Sequence, residues 1–316
     1  MSGSFPISGL LGRVEEQVPL ASRTTWRIGG PARWLIFPAG VADLARLLAG
    51  WPREVPLLVL GGGSNLLLDD RGFGGGVVAL TQGLCKIQVV AEAESTVTLE
   101  AQAGLSTRAL AHYARRQGLA GVEFLGGIPG TLGGALRMNA GAYGQQMRDV
   151  LVEALLLTAQ GERIAMTSEE LALGYRQSRI PEGAIFVSAR LRLTRDHPGE
   201  ILQRMRRINQ LRTKSQPLEH PSAGSTFKNP PQGAKTWQLI DAAGMRGVAI
   251  GGAQVSEKHS NFLINRHKAT SREMVGLIEQ VQERVAKTSG VTLQLEVGVL
   301  DDRGRLISGD RPLVAA

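Results

Sequence analysis

The sequence predicts an α+β protein of more than one domain. Three observations carry that expectation. Strand-like runs follow one another without a helix between them, as at residues 76–80, 87–91 and 96–101. Helical patterns are fewer and stand apart, the strongest covering residues 270–290. The chain has 316 residues, enough for two or three domains with sizeable cores.

Residues 1–20 read as a loose arm or a short helix. Residues 24–32 alternate polar and apolar and end in a turn. Over residues 41–48, Leu44, Leu47 and Leu48 share one helical face. Residues 55–60, VPLLVL, read as a buried strand running into Gly61, Gly62 and Gly63. This is a β–α–β pattern with a glycine-rich strand end. Strands follow at 76–80 and 87–91, and the alternation of residues 96–101 marks a half-buried one. From 106 to 117 the residues Ala109, Leu110, Tyr113 and Ala114 line a helical face. Ser106 suits its N-cap and Gly118 the position after its end. Residues 150–158 and 184–193 read as strands, and Thr167 to Glu170 fits a capping box opening a short helix.

Residues 194–199 break the strand pattern and suggest a domain boundary. An amphipathic helix follows at 200–211, with Ile201, Met205 and Ile208 in line. Residues 235–243 look helical, and 261–264 strand-like. Thr270 opens the strong helix, which Gly290 stops. Residues 291–300 read as a strand, with Thr292, Gln294 and Glu296 on one face and Leu293, Leu295 and Val297 on the other.

Composition narrows the function classes. Hydrophobic residues make up 43%, as in a soluble globular protein. No apolar run approaches the roughly 20 residues that span a bilayer. No secretory signal is visible, which makes a cytoplasmic protein the expectation. Cys85 is the only cysteine, so an intrachain disulfide is excluded. No H-x-x-x-H, H-E-x-x-H or acidic ladder appears, so no catalytic metal is expected. The net charge of +8 suits an anionic partner, either nucleic acid or a phosphorylated small molecule. Scattered basic residues and only 4% aromatics argue against nucleic acid.

Two glycine-rich stretches carry the chemistry. Residues 118–144 read GLAGVEFLGGIPGTLGGALRMNAGAYG. They are too glycine-rich for an ordinary helix or strand and too apolar for a linker. Gly126, Gly127, Gly130, Gly133 and Gly134 leave room for a large ligand against bare main chain. Exposed N–H groups there would bind a diphosphate-sized anion. A turn packed tightly on a neighbour is the equal alternative. Gly61, Gly62, Gly63, Ser64 and Asn65 follow a strand as a phosphate loop does, yet match neither the dinucleotide fingerprint nor a Walker loop.

Arg176, in a loop at residues 175–178, reads either as a solvated cation or as a stabiliser of developing negative charge. Residues 222–230 hold Ser225, Thr226, Lys228 and Asn229. No G-x-S-x-G elbow is present, so Ser225 is a proton donor or merely a helix cap. Glu296 and His259 have ordinary structural readings as well.

Taken together, these residues resemble the UDP-N-acetylenolpyruvoylglucosamine reductase (MurB) family. The carriers are residues 25–30 (TWRIGG), 61–65, 121–144, 175–178 (YRQS), 223–230 (AGSTFKNP) and 256–265, in the family's order. The resemblance runs from about Ala21 to about Leu300. It implies a two-lobed FAD-binding domain of the vanillyl-alcohol-oxidase type, residues 1–86 and 87–196. A smaller α+β substrate domain, 197–316, would follow, its last residues returning to the flavin lobe. It implies bound FAD, NADPH as co-substrate and an enolpyruvyl ether of UDP-N-acetylglucosamine as acceptor, in peptidoglycan precursor synthesis. It casts Arg176, Ser225 and Glu296 as catalytic, with Ser225 protonating C2. It lays the cofactor along both glycine stretches, including Thr131, Asn139, Ala140 and Gly141. Lys228, Asn229, Tyr143 and Tyr175 would face the substrate. The short segment after Ser178 lacks the tyrosine-bearing insertion of one subclass, so the chain resembles the shorter subclass. A monomer is expected. An oxidase of the same flavin fold and a basic nucleotide-binding module are the competing readings.

Overall fold

A computed structural model describes residues 4–308 and 314–315 of the chain. The first sheet begins with β1 (Arg13–Pro19) antiparallel to β2 (Pro31–Phe37). The expected arm or short helix is therefore an edge strand over residues 13–19, and residues 1–3 lie outside the described residues. Local pattern hid it because an edge strand keeps both faces half-solvated, and its pairing partner lies beyond a local window. α1 (Val41–Gly50) buries Leu44, Leu47 and Leu48, and β3 (Leu57–Leu60) leads into the first glycine loop. β4 (Leu66–Leu68) follows, then β5 (Phe73–Ala79). β2, β5 and β3 lie parallel, which puts the C-terminal end of β3 at the cleft described below.

The second sheet is antiparallel throughout. It is built from β6 (Ile87–Glu92), β7 (Thr96–Gln102) and four later strands, one of them a short strand that pairs off the main path, with α2 (Thr107–Arg116) following β7. Ser106 caps α2 by accepting from the N–H of Ala109, and Gly118 takes φ 66° after its end. The short β8 (Leu119–Ala120) comes next. Inside the glycine stretch lies a helix that composition did not suggest, α3 (Leu132–Arg137). Its Leu132 and Leu136 are fully buried, and Gly133 lets it settle on Ala103. Tertiary burial outweighs the glycine cost in so short a helix. The hairpin of β9 (Gly141–Ala142) and β10 (Gln145–Gln146) follows, then β11 (Leu151–Leu157), β12 (Arg163–Thr167) and β13 (Ile185–Arg195). The strand order is β12-β11-β13-β7-β6. The capping box at Thr167 and Glu170 forms, with both hydrogen bonds in place. It closes a turn and no helix follows, because Leu171 and Leu173 are drawn into the core.

α4 (Pro198–Ser215) crosses to the third group, α5 (Thr236–Ala242) with the small antiparallel sheet β14 (Ala249–Ile250), β15 (Ala253–Val255) and β16 (Leu263–Asn265). α6 (Ser271–Ser289) packs Met274, Leu277, Ile278, Val281 and Val285 inward, and Gly290 ends it at φ 71°. Of the expected strand over 291–300, only β17 (Gly298–Leu300) forms a ladder, parallel to β4. The alternation still holds: Leu293, Leu295 and Val297 are buried while Thr292 and Gln294 are exposed. β18 (Leu306–Ser308) pairs with β17, and β19 (Val314–Ala315) pairs with β3. Trp26, Ile28 and Leu67 share a core with α6, and Trp26 Nε1 donates to the Leu263 carbonyl at 2.7 Å. The third group is thus bolted to the first. Among the described residues no helix is long and apolar enough to cross a membrane.

Thr270 and Glu273 form a complete capping box on α6. Thr270→Ala should lower stability by about 1 kcal/mol. A urea melt checks this; an unchanged midpoint would mean that packing alone holds α6.

Candidate active site

A cleft of about 830 Å³ runs between the glycine loops and the third group of elements. Both glycine loops form its floor. A Cβ on Gly62 would lie 2.7 Å from Gly130 Cα, and one on Gly61 would lie 2.6 Å from Thr131 Oγ1. Gly63 has φ 58° and passes over the Arg23 carbonyl, where a Cβ would sit at 2.1 Å. These glycines are therefore required first by loop-on-loop packing. The N–H groups of Gly62, Gly63 and Ser64 have no acceptor among the described residues. Close packing accounts for the glycines, and the loop edge still presents unpaired backbone donors. Ser64 Oγ donates to the Pro129 carbonyl at 3.0 Å, tying the loops together. Asn65 Nδ2 donates to the Glu296 carbonyl at 3.0 Å. The side-chain donors of Ser64 and Asn65, which the sequence offered to a diphosphate, are thus spent on protein carbonyls, and the loop edge is left with backbone donors.

Gly126 and Gly127 make room for α4, since their added Cβ atoms would meet Met205 Cε at 3.0 Å and Arg212 Cδ at 2.7 Å. α4 is held there by Arg204, which bonds Glu123 at 2.9 Å and Asp196 at 2.5 Å. Gly130, Thr131, Gly133, Gly134, Ala140 and Gly141 all line the cleft. Asn139 does not. It is buried, its Nδ2 donates to Gln146 Oε1 and the Gly174 carbonyl, and its Oδ1 accepts from Arg148 N–H. A small amide with φ 38° serves here as an internal brace under the hairpin.

That brace helps to place Arg176. Residues Gly174 and Gln177 pair across a tight turn, and Arg176 sits on it with φ 58°. Arg137 Nη1 donates to the Ser178 carbonyl at 2.8 Å, while Ser178 Oγ donates back to the Arg137 carbonyl at 2.9 Å. The turn is thereby locked to α3. Arg176 Nε then reaches Glu296 Oε1 at 2.5 Å, both side chains being mostly shielded from solvent. The exposed Tyr175 accepts the Asn229 N–H at 3.4 Å.

Ser225 lines the same cleft, and its hydroxyl makes no hydrogen bond among the described residues. The next residues are clamped on both sides. Thr226 N–H donates to the Asn261 carbonyl, and Asn261 exchanges two further bonds with Phe227. Glu296 N–H donates to the Thr226 carbonyl at 2.9 Å. Arg176, Ser225 and Glu296, far apart in sequence, thus meet in one cleft. Lys228, Asn229 and Tyr175 lie outside its lining, whereas Tyr143 is on its rim. Asn229 Oδ1 accepts the Thr236 N–H, so its side chain is turned to the start of α5.

Sequence reasoning missed Arg212. It lines the cleft near Tyr143, and burial holds its guanidinium below the ordinary value. Burial also raises the Tyr143 phenol, which Arg212 opposes. Within the basic run of α4 no local signal separates Arg212 from its solvated neighbours.

The cleft fits a dinucleotide such as FAD: it is long enough for two side-chain-free loops to floor it, with unpaired N–H groups at the loop edge. Among the described residues no group of three or more His, Cys, Asp or Glu could hold a metal ion. The fold and this cleft are those of an FAD-binding flavoprotein. An FAD binding domain matches residues 32–167, and the C-terminal domain of UDP-N-acetylenolpyruvoylglucosamine reductase matches residues 216–300. The UDP-N-acetylenolpyruvoylglucosamine reductase of Magnetococcus marinus is 52% identical over 96% of this chain and 98% of its own length. That of Novosphingobium aromaticivorans is 46% identical over 94% and 98%. The crystal structure of the Thermus caldophilus reductase (MurB) superposes with a TM-score of 0.77 at 36% identity, covering 92% of this chain and 99% of that one. The chain belongs to the UDP-N-acetylenolpyruvoylglucosamine reductase family and is an FAD-dependent oxidoreductase.

Proposed function

We propose that this protein reduces the enolpyruvyl ether of UDP-N-acetylglucosamine to UDP-N-acetylmuramate with NADPH, as a cytoplasmic monomer in peptidoglycan precursor synthesis. The observation that carries the reading is the convergence of Arg176, Ser225 and Glu296 on the cleft floored by both glycine loops. FAD would be held by residues 1–86 and 87–196, against the N–H groups of Gly62, Gly63 and Ser64, and the sugar nucleotide by residues 197–316. When bound, FAD supplies a two-electron hydride carrier between NADPH and C3 of the enolpyruvyl group. NADPH and the sugar nucleotide occupy the cleft in turn.

As C3 gains hydride, negative charge spreads from C2 onto the carboxylate. Arg176 stabilises that charge, being fixed by its locked turn before the reaction begins. Ser225 then gives its hydroxyl proton to C2, which completes addition of two hydrogens across the double bond. A bare carboxylate would repel the enolate. The ion pair of Glu296 with Arg176 removes that objection, because it offsets the carboxylate charge and aims the guanidinium. Lys228, Asn229, Tyr143 and Tyr175 frame the outer substrate side, the last two from the opposite lobe.

The test is anaerobic mixing of the purified yellow protein. NADPH should bleach the flavin, and the enolpyruvyl sugar should restore the colour in one turnover. Oxygen restoring it as fast as the sugar would favour an oxidase, and a colourless protein that FAD cannot restore would end the reading. Glu296→Gln keeps an acceptor for Arg176 but loses the charge. It should slow reoxidation by about 10²-fold while changing NADPH affinity little. Equal damage to both would remove Glu296 from the second half-reaction.

A further inference from the structure

We infer that Asn65 is a positioning residue for Glu296 and Ser225, and that its side chain is not a ligand of the cofactor diphosphate. The inference deepens the reaction proposed above and rests on it. β4 and β17 pair in parallel from Leu66 with Gly298 onward, so the ladder stops just short of the site. Asn65 prolongs it. Its carbonyl accepts the Gly298 N–H at 3.0 Å, and its Nδ2 donates to the Glu296 carbonyl at 3.0 Å. The remaining Nδ2 contact goes to Met138 Sδ at 3.7 Å, next to α3. On the other side the Glu296 N–H is held by the Thr226 carbonyl at 2.9 Å.

The backbone of Glu296 is therefore gripped from two directions. One grip comes from the end of the Gly61–Ser64 loop through Asn65, and the other from the residue following Ser225. Glu296 stands past the end of β17's ladder, where a chain held only at its N–H would swing. Its carboxylate in turn aims Arg176. One amide side chain thus sets two groups that touch the substrate, without touching it. A misplacement of about 1 Å at such groups costs on the order of 10² in rate.

The experiment uses the full chain with Asn65→Ala, and with Asn65→Asp, which keeps the volume and removes the donor. Stopped-flow traces follow flavin reduction by NADPH and reoxidation by the enolpyruvyl sugar, and fluorescence titration follows FAD uptake by apoprotein. Reoxidation should fall by about 10²-fold, with reduction and FAD affinity changing far less. Combined with Glu296→Gln, the loss should not add, since both changes act on one group. FAD affinity lowered by about tenfold or more, with normal reoxidation of the reloaded protein, would instead make Asn65 a diphosphate ligand and overturn the inference. Fully additive losses, or equal losses in both half-reactions, overturn it as well. If the parent protein fails to pass electrons to the sugar, the reaction reading falls instead. The FAD titration still decides whether Asn65 holds the diphosphate.

Discussion

Ser225→Ala is expected to leave flavin reduction by NADPH nearly unchanged and to slow reoxidation by the enolpyruvyl sugar by about 10²–10⁴-fold, the range for one lost general acid. The reason lies in the geometry of residues 224–227. Gly224 takes φ 80° with open space around it, and Thr226 and Phe227 are tied to Asn261. The hydroxyl of Ser225 is presented from that rigid base into the cleft and is not used by the protein itself. Removing it costs little packing, so folding and flavin content should survive. Hydride arrival at the flavin needs no proton from Ser225. Parallel loss of both half-reactions would make Ser225 a structural residue. Solvent isotope exchange gives a second readout: the slow variant should incorporate deuterium at C2 without stereochemical control.

Gly62→Ala should strip the protein of flavin. Its new methyl would stand 2.7 Å from Gly130 Cα, and neither partner is a flexible side chain that can turn aside. One loop must move, at a cost of about 1–3 kcal/mol for such overpacking. That corresponds to roughly 5- to 150-fold weaker FAD binding, because the moved backbone carries the N–H groups of the anion edge. Titration of apoprotein with FAD measures it. Gly276→Ala is the control. It lies within α6, where the nearest atom to a new Cβ is 3.7 Å away, and should stabilise by about 0.5–1 kcal/mol. Unchanged FAD affinity in Gly62→Ala would mean that the two loops do not form one cradle.

Much of the scaffold was legible because its signals are local. α6 declares itself through apolar residues on one face, Thr270 in front and Gly290 behind. α2 does the same with Ser106 and Gly118. Edge strand β1 was not legible, because its half-exposed residues carry little alternation. α3 was hidden for the opposite reason: its glycines count against a helix, and only burial of Leu132 and Leu136 outweighs them. Of the candidate site, Arg176, Ser225 and Glu296 were named through resemblance, not through spacing. Asn139 braces a turn under the hairpin and Asn229 accepts at the start of α5, and nothing local says whether an amide faces a cleft or holds a backbone.

The sequence by itself determined which segments become helices and strands, where glycine breaks them, and which family the chain resembles. Those properties depend on neighbours a few positions apart, or on motifs read whole. Only the tertiary structure decided that the glycines of one loop make way for those of the other, and that Asn65 holds a carbonyl 231 positions away. Contacts across such separations arise when lobes close on each other, and the pattern around either partner carries no trace of them.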